Sequence, residues 1–165
     1  MISKSIEKAL NEQIAKEAYA SFYYLSMASW CDNNRLPGGA KFFYMQSDEE
    51  LAHMKKLFVY INETGGHAIT PAIPQPPNGY KSIEEILGLT LNHEIEVTKT
   101  INSLVDMCLK EKDYSTFNFL QWYVAEQHEE EHLFQSIIDK VKLLGGDAKN
   151  LFWIDKELGS MTARG

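Results

Sequence analysis

Carboxylates, an imidazole and an amide stand where four candidate helices should be apolar. The residues are Glu17, then Glu50 with His53, then Glu94, then Gln127 with Glu130. Each set falls about twelve or thirteen residues from the start of its segment. An ion in a helical core costs several kcal/mol even after relaxation, so four coincident intrusions call for one partner that compensates them all. A bound metal pair is such a partner. Oxygen-rich ligands with an imidazole suit Fe(II), Fe(III) or Mn, whereas thiolates would favour softer ions. An inward Glu from one helix with a Glu-x-x-His from its neighbour is half of the carboxylate-bridged di-iron arrangement built in bundle cores. Two irons sharing Glu50 could each give an electron to one O2. Tyr24, two turns from Glu17 on the same face, could hydrogen-bond a ligand or donate an electron, with core packing as its plainer role.

The elements that must position these residues are legible from period. Apolar residues recur at alternating three- and four-residue steps through four long segments, with no strand-like alternation. The first, about Lys4 to Cys31, follows Ile6, Leu10, Gln13, Glu17, Ala20, Tyr24, Met27 and Cys31, and fades at Asp32, Asn33 and Asn34. Pro37 opens a second, which runs Phe43, Gln46, Glu50, His53, Leu57, Tyr60 and stops at Gly65 and Gly66. Ser82 with Glu85 is a capping box that opens the third: Ile83, Leu87, Thr90, Glu94, Val97, Ile101, Leu104, Cys108. The fourth, about Ser115 to Leu144, reads Phe117, Leu120, Val124, Gln127, Glu131, Phe134, Ile138, Val141, closed by Gly145 and Gly146. A short last helix from about Asp147 to Leu158 carries Leu151, Trp153 and Ile154.

Pro71, Pro74, Pro76 and Pro77 keep the stretch from Gly65 to Lys81 out of a helix. In polyproline form at about 3.1 Å per residue, it can run back along a helix of about 40 Å. The expected fold is therefore all-α: a four-helix up-down-down-up bundle with a long central crossover and a short fifth, C-terminal helix. Residues 1–165 make one domain, with the bundle in 1–145 and the short helix and tail in 147–165. Because the four helices are similar in length, positions near their midpoints converge at one height whichever way each helix runs. Cys31 and Cys108 fall near opposite ends of this layout, which makes a disulfide between them improbable on geometry.

Composition narrows the partners. A net charge of -7 argues against nucleic acid or an anionic membrane and suits attraction of cations. No apolar run suits a secretory signal or a membrane span, and two cysteines without CxxC spacing give neither a disulfide framework nor a zinc site. A reducing cytoplasm is the expected location.

Plainer readings stand beside the chemical one. A single Glu on a nominal seam is often a register error or a side chain snorkelling to solvent. Gln13 and Gln46, nearer the helix ends, read best as hydrogen-bonded core polars. The run from Glu126 to His132 is by itself only a charged helical stretch. Register alone does not separate Glu130 from Glu131, each within about 60° of Gln127 around the helix. The three-residue spacing shared with Glu50 and His53 favours Glu130.

With Glu17, the segment QSDEELAH from Gln46 to His53, His93 with Glu94, and TFNFLQWYVAEQHEEE from Thr116 to Glu131, the chain resembles a bacterial non-haem ferritin over essentially its whole length. The resemblance implies a ferroxidase centre with one iron on Glu17, Glu50 and His53. The second would lie on Glu50, Glu94 and Glu130, with Gln127 beside it. It also implies a third iron position on Glu49, Glu126, Glu129 and Glu130, between the di-iron centre and an inner cavity. Similar proteins form a hollow shell of twenty-four subunits, oxidise Fe(II) with O2 or peroxide, and store ferric mineral inside. The short C-terminal helix would then line a symmetry axis, with docking on its own bundle as the alternative.

Departures separate relatives. Bacterioferritin-like sites repeat Glu-x-x-His on the fourth helix, where this chain has Gln127 and Glu130; the two iron positions are unequal, which fits turnover through a third site better than a fixed cofactor. The place of the bacterioferritin haem-ligand Met is Leu51, so no haem is expected. The CxxC module of rubrerythrin-like proteins is missing. The alternative function is a non-catalytic acidic helical bundle that binds a protein partner. A monomeric di-iron oxidase of an organic substrate is a third option, for which no separate pocket is legible.

Overall fold

The computed structural model describes residues 1–145 and 148–163. Five helices follow in order: α1 Lys4–Asn33, α2 Pro37–Glu63, α3 Ile83–Glu111, α4 Tyr114–Leu144 and α5 Ala148–Ser160, with no strand among the described residues. Gly146, Asp147 and the tail end at 164–165 lie outside them, so the expected start of the last helix at Asp147 does too. None of the described helices is long and apolar enough to cross a membrane.

Local chemistry sets the helix starts. Ser3, Ser82 and Asp113 each accept a hydrogen bond from a backbone N–H in the first turn of α1, α3 and α4, respectively. Such a cap contributes about 1 kcal/mol. The Glu85 carboxylate reaches back to the N–H of Lys81, one residue before the expected Ser82. Pro37 occupies the first turn of α2, where its missing N–H costs no helical bond. Gly65 takes a left-handed φ of 82° as the chain leaves α2.

Cross-helix bonds fix the topology. Thr100 donates to Gln13 and Thr90 to Met27, so α1 and α3 run antiparallel. Gln46 reaches Glu130 and the Tyr60 hydroxyl meets that of Thr116, so α2 and α4 do likewise. The result is the up-down-down-up bundle, with residues 64–82 crossing its length. Every residue of the α1 and α3 stripes read from sequence is buried. On α4 the buried stripe lies one position earlier than expected at three places, where Thr116, Tyr123 and Ile137 replace Phe117, Val124 and Ile138, and of the two acidic candidates the favoured Glu130 is the buried one. On α2 the shift runs the other way, with Ile61 one position later in place of Tyr60. Cys31 and Cys108 are buried and unpaired, in separate apolar clusters.

Those clusters are the two halves of the core. One gathers Ile6, Leu10, Leu57, Ile101 and Leu120, the other Met27, Phe42, Phe43, Leu87 and Phe134. The polar residues form a layer between them, so apolar packing above and below holds the layer in place.

Helix α5 docks on α2 by close approach. A Cβ on Gly38 would lie 1.8 Å from the Asp155 carbonyl oxygen, and one on Gly159 would lie 2.9 Å from Gly38 Cα. The Asp155 carboxylate accepts from the Gly39 N–H at 2.8 Å, and Lys41 donates to the Gly159 carbonyl. Gly38→Ala should therefore force α5 off α2, at the roughly 1–3 kcal/mol typical of overpacking. Amide hydrogen exchange should rise across α5 and stay slow in α1 to α4. Unchanged exchange in α5 would mean that this approach does not hold it.

Candidate metal centre

The mid-bundle layer contains four buried glutamates, Glu17, Glu50, Glu94 and Glu130, with His53, Gln127 and Tyr24. Glu17 comes from α1, Glu50 and His53 from successive turns of one α2 face, Glu94 from α3, and Gln127 and Glu130 from α4. Donor atoms of Glu17, Glu50 and His53 all lie within 4.8 Å of one another. His53 Nδ1 stands 3.5 Å from a Glu50 oxygen and 3.8 Å from a Glu17 oxygen. Ligand atoms about 2.1 Å from a small divalent ion in octahedral geometry stand about 3 Å apart, so this trio needs little contraction to share one.

The neighbours orient the carboxylates. Gln13 donates to Glu17 at 2.6 Å and itself accepts from Thr100. Tyr24 donates its hydroxyl to Glu94, and Gln127 donates to the other Glu94 oxygen at 3.0 Å. Gln46 reaches Glu130 at 3.4 Å. Glu131, the competing register, is partly exposed and accepts from Thr98 instead. The Tyr123 hydroxyl donates to the His53 carbonyl, and Trp122 stands edge-on to the His53 ring at 5.2 Å.

Electrostatics follow from burial. Desolvation, then the charge of Glu50, pushes the Glu17 carboxyl well above its ordinary range. Desolvation and Glu94 do the same to Glu50. Glu94 is also raised by desolvation, against the hydrogen bonds from Tyr24 and Gln127. Burial and the Glu94 charge hold the Tyr24 phenol well above its usual value. Burial therefore favours the protonated form of these carboxyls when no cation is bound, and a cation pair would displace those protons.

The residues expected at a third position sit to one side. Glu49 and Glu126 are half-buried and line an open groove of about 650 Å³ between α2 and α4, together with His53, Lys56 and Trp122. Glu129 is exposed and does not line that groove. Sequence reading missed Trp122 and Tyr123 as supports of His53, because ring contacts between helices leave no mark in periodicity. The amide of Gln13 at a seam position was the available signal for the supports of Glu17, whereas Thr100, beside its stripe and half-buried, gave none.

Residues 7–144 match the family described as the ferritin-like domain. The chain belongs to the ferritin family. It is 51% identical over 164 residues to a probable bacterial non-heme ferritin-like protein of Haemophilus influenzae, covering 99% of each chain. It is 50% identical over 156 residues to the bacterial non-heme ferritin of Campylobacter jejuni, covering 94% of this chain and 93% of that one. Among solved structures, a novel open pore ferritin from the hyperthermophilic archaeon Archaeoglobus fulgidus superposes with a TM-score of 0.95 at 42% identity, covering 98% of each chain. Membership of the ferritin family supports iron storage as the general function.

Proposed function

We propose that this ferritin oxidises Fe(II) at the mid-bundle centre and stores the ferric product inside a multi-subunit shell. The observation that carries the reading is the convergence of Glu17, Glu50 and His53, from two helices, within one ion's reach. One Fe(II) would bind Glu17, Glu50 and His53. A second would bind Glu50, Glu94 and Glu130, with Gln127 beside it. Glu50 is shared, so the two ions reach one oxidant together. Each Fe(II) gives one electron; O2 takes two electrons and two protons and leaves as H2O2. Peroxide as oxidant would take the same two electrons and two protons to give two waters. The Tyr24 hydroxyl, bonded to Glu94, holds that carboxylate and lies near enough to give an electron. Glu49, Glu126, Glu129 and Glu130 would receive iron on its way inward, toward the cavity of a twenty-four-subunit shell.

Aerobic titration of metal-free protein with Fe(II), followed by iron content across a size-exclusion profile, tests the reading. Many irons per chain co-eluting with a large assembly are expected. A couple of irons per chain on a small species would replace storage with a fixed di-iron cofactor, and no iron would favour the acidic interaction bundle. Glu94→Ala should slow oxidation by roughly tenfold or more without unfolding the bundle, since it removes a proposed ligand of the second ion alone. An unchanged rate of oxygen consumption would remove Glu94 from the site.

A further inference from the structure

Tyr24 has two kinds of aromatic neighbour. On one side lie Phe43 and Phe134, with ring centroids 6.2 and 6.5 Å away. On the other lie Tyr23 at 6.1 Å and His93 at 6.0 Å. Tyr23 in turn stacks on Tyr19 at 5.7 Å. His93 touches all three tyrosine rings, and its Nε2 is buried without a hydrogen-bond partner. Tyr24 is fully buried, Tyr23 nearly so and Tyr19 half-buried, so the stack climbs outward from the centre. At its end, Tyr19 and His93 line an open cleft of about 510 Å³ between α1 and α3, roofed by Ala72 and Pro74 of the crossover.

We propose that Tyr24, Tyr23 and Tyr19 form a relay that carries an oxidising equivalent from the metal centre to the cleft beneath the crossover, where a small diffusible reductant removes it. The proposal rests on the ferroxidase reading for the origin of the oxidising equivalent. The direction comes from the ring types: phenylalanine is far harder to oxidise than tyrosine, so a hole on Tyr24 has Tyr23 as its accessible ring neighbour. Trp122 and Tyr123 belong to the opposite side of the centre, edge-on to His53, and have no ring contact with Tyr24.

The relay serves a centre caught with one Fe(II) and one peroxide. Fe(II) gives one electron; alone, that would release hydroxyl radical. Tyr24 supplies the second electron and a proton, and water supplies a further proton, so peroxide leaves as two waters with Fe(III) and a tyrosyl radical. The Tyr24 proton passes through the Glu94 carboxylate to which its hydroxyl is bonded. At each later hop the donating phenol loses one electron and one proton, and the tyrosyl behind it gains one of each. At Tyr19 the reductant gives an electron and a proton and restores the phenol. Burial keeps the Tyr23 phenol protonated, with its pKa pushed up to about 12, so its oxidation must move a proton as well as an electron.

The test pairs Tyr23→Phe with Tyr19→Phe. Protein given substoichiometric Fe(II) and peroxide would be freeze-quenched with and without ascorbate, and the tyrosyl radical followed by electron paramagnetic resonance. In Tyr23→Phe the radical should stay on Tyr24 and its ascorbate quenching slow by at least about tenfold, while oxidation of two Fe(II) per chain by O2 keeps its rate. Tyr19→Phe should slow quenching to a smaller degree. A Tyr24 radical quenched at the unmodified rate in Tyr23→Phe would overturn the relay. Failure of the unmodified protein to oxidise Fe(II) would instead sink the ferroxidase reading, and a metal-free arm then decides the relay alone. There, flash oxidation at the surface by a ruthenium polypyridyl with persulfate should place a radical on Tyr24, lost in Tyr24→Phe and in Tyr23→Phe. Its persistence in Tyr23→Phe would exclude the path.

Discussion

Replacing Glu50 by alanine should reduce Fe(II) oxidation by roughly 100-fold or more, beyond the 10- to 100-fold cost of losing an outer-shell partner of a metal ligand. Glu50 is the one carboxylate proposed to touch both ions, so its loss disrupts both positions and the geometry that brings them to one oxidant. The fold should survive. Glu50 is buried, and its carboxyl is raised by desolvation and by Glu94, so the metal-free bundle gains nothing from its charge. Removing one of several crowded carboxyls relieves that burden, against the cavity left by the side chain. Stopped-flow oxygen consumption would read the rate, and circular dichroism the fold. Glu131→Ala is the matched control, because Glu131 bonds Thr98 outside the layer, and its rate should be unchanged. Near-normal oxidation by Glu50→Ala would mean that the shared-ligand reading is wrong.

The metal-free protein should lose stability as pH rises from about 5 to 8. Glu17, Glu50 and Glu94 all have folded-state pKa values raised above the ordinary carboxyl. Below about pH 4.5 both folded and unfolded forms carry these protons, so the groups make no difference. Above it the unfolded chain ionises first, the folded form binds more protons, and stability falls with each further rise in pH until the folded carboxyls ionise too. Glu7 and Glu111 work in the opposite sense: the Lys4 bond on one, and the Ser3 and Ser5 bonds on the other, hold their carboxyls low. Their contribution is lost as pH falls through those lowered values. Glu111 is exposed and Glu7 only partly covered, so the buried trio should dominate near neutrality. Thermal midpoints of metal-free protein across this range would show the decline, and Glu17→Gln should flatten it. Anaerobic Fe(II) or Mn(II) should restore stability most strongly at the alkaline end, by about 2.7 kcal/mol at a hundredfold excess over Kd. A midpoint that rises steadily with pH in the metal-free protein would contradict the buried-acid account.

Helix number, crossover and the depth of the polar layer were legible because each rests on a local signal: period, proline and position along a segment. Ser82 and Pro37 marked their helix starts for the same reason. The face of α4 was harder to read. Two candidates stand side by side at Val124 and Tyr123, and at Glu131 and Glu130; spacing favours Glu130, but only packing against α2 and α3 chooses Tyr123. Tyr123 wins because its hydroxyl finds the His53 carbonyl, a contact no spacing reveals. The tyrosine stack around His93 was illegible for a related reason. Tyr19, Tyr23 and Tyr24 sit on more than one face of α1, and only the arrival of His93 from α3 joins them.

The four buried glutamates also act as a charge counter. Fully ionised they carry four negative charges, which two divalent ions neutralise and two trivalent ions exceed by two. In a layer sealed above and below by apolar packing, that surplus is poorly screened. On the proposed function, Fe(II) would enter a site matched to it, and oxidation would turn the same site against its own product. With Gln127 neutral at the fourth helix, no extra ligand charge would retain a ferric pair, while Glu49 and Glu126 place further carboxylates in the groove next door. The same residues that draw reduced iron in would thereby bias oxidised iron to leave in one direction.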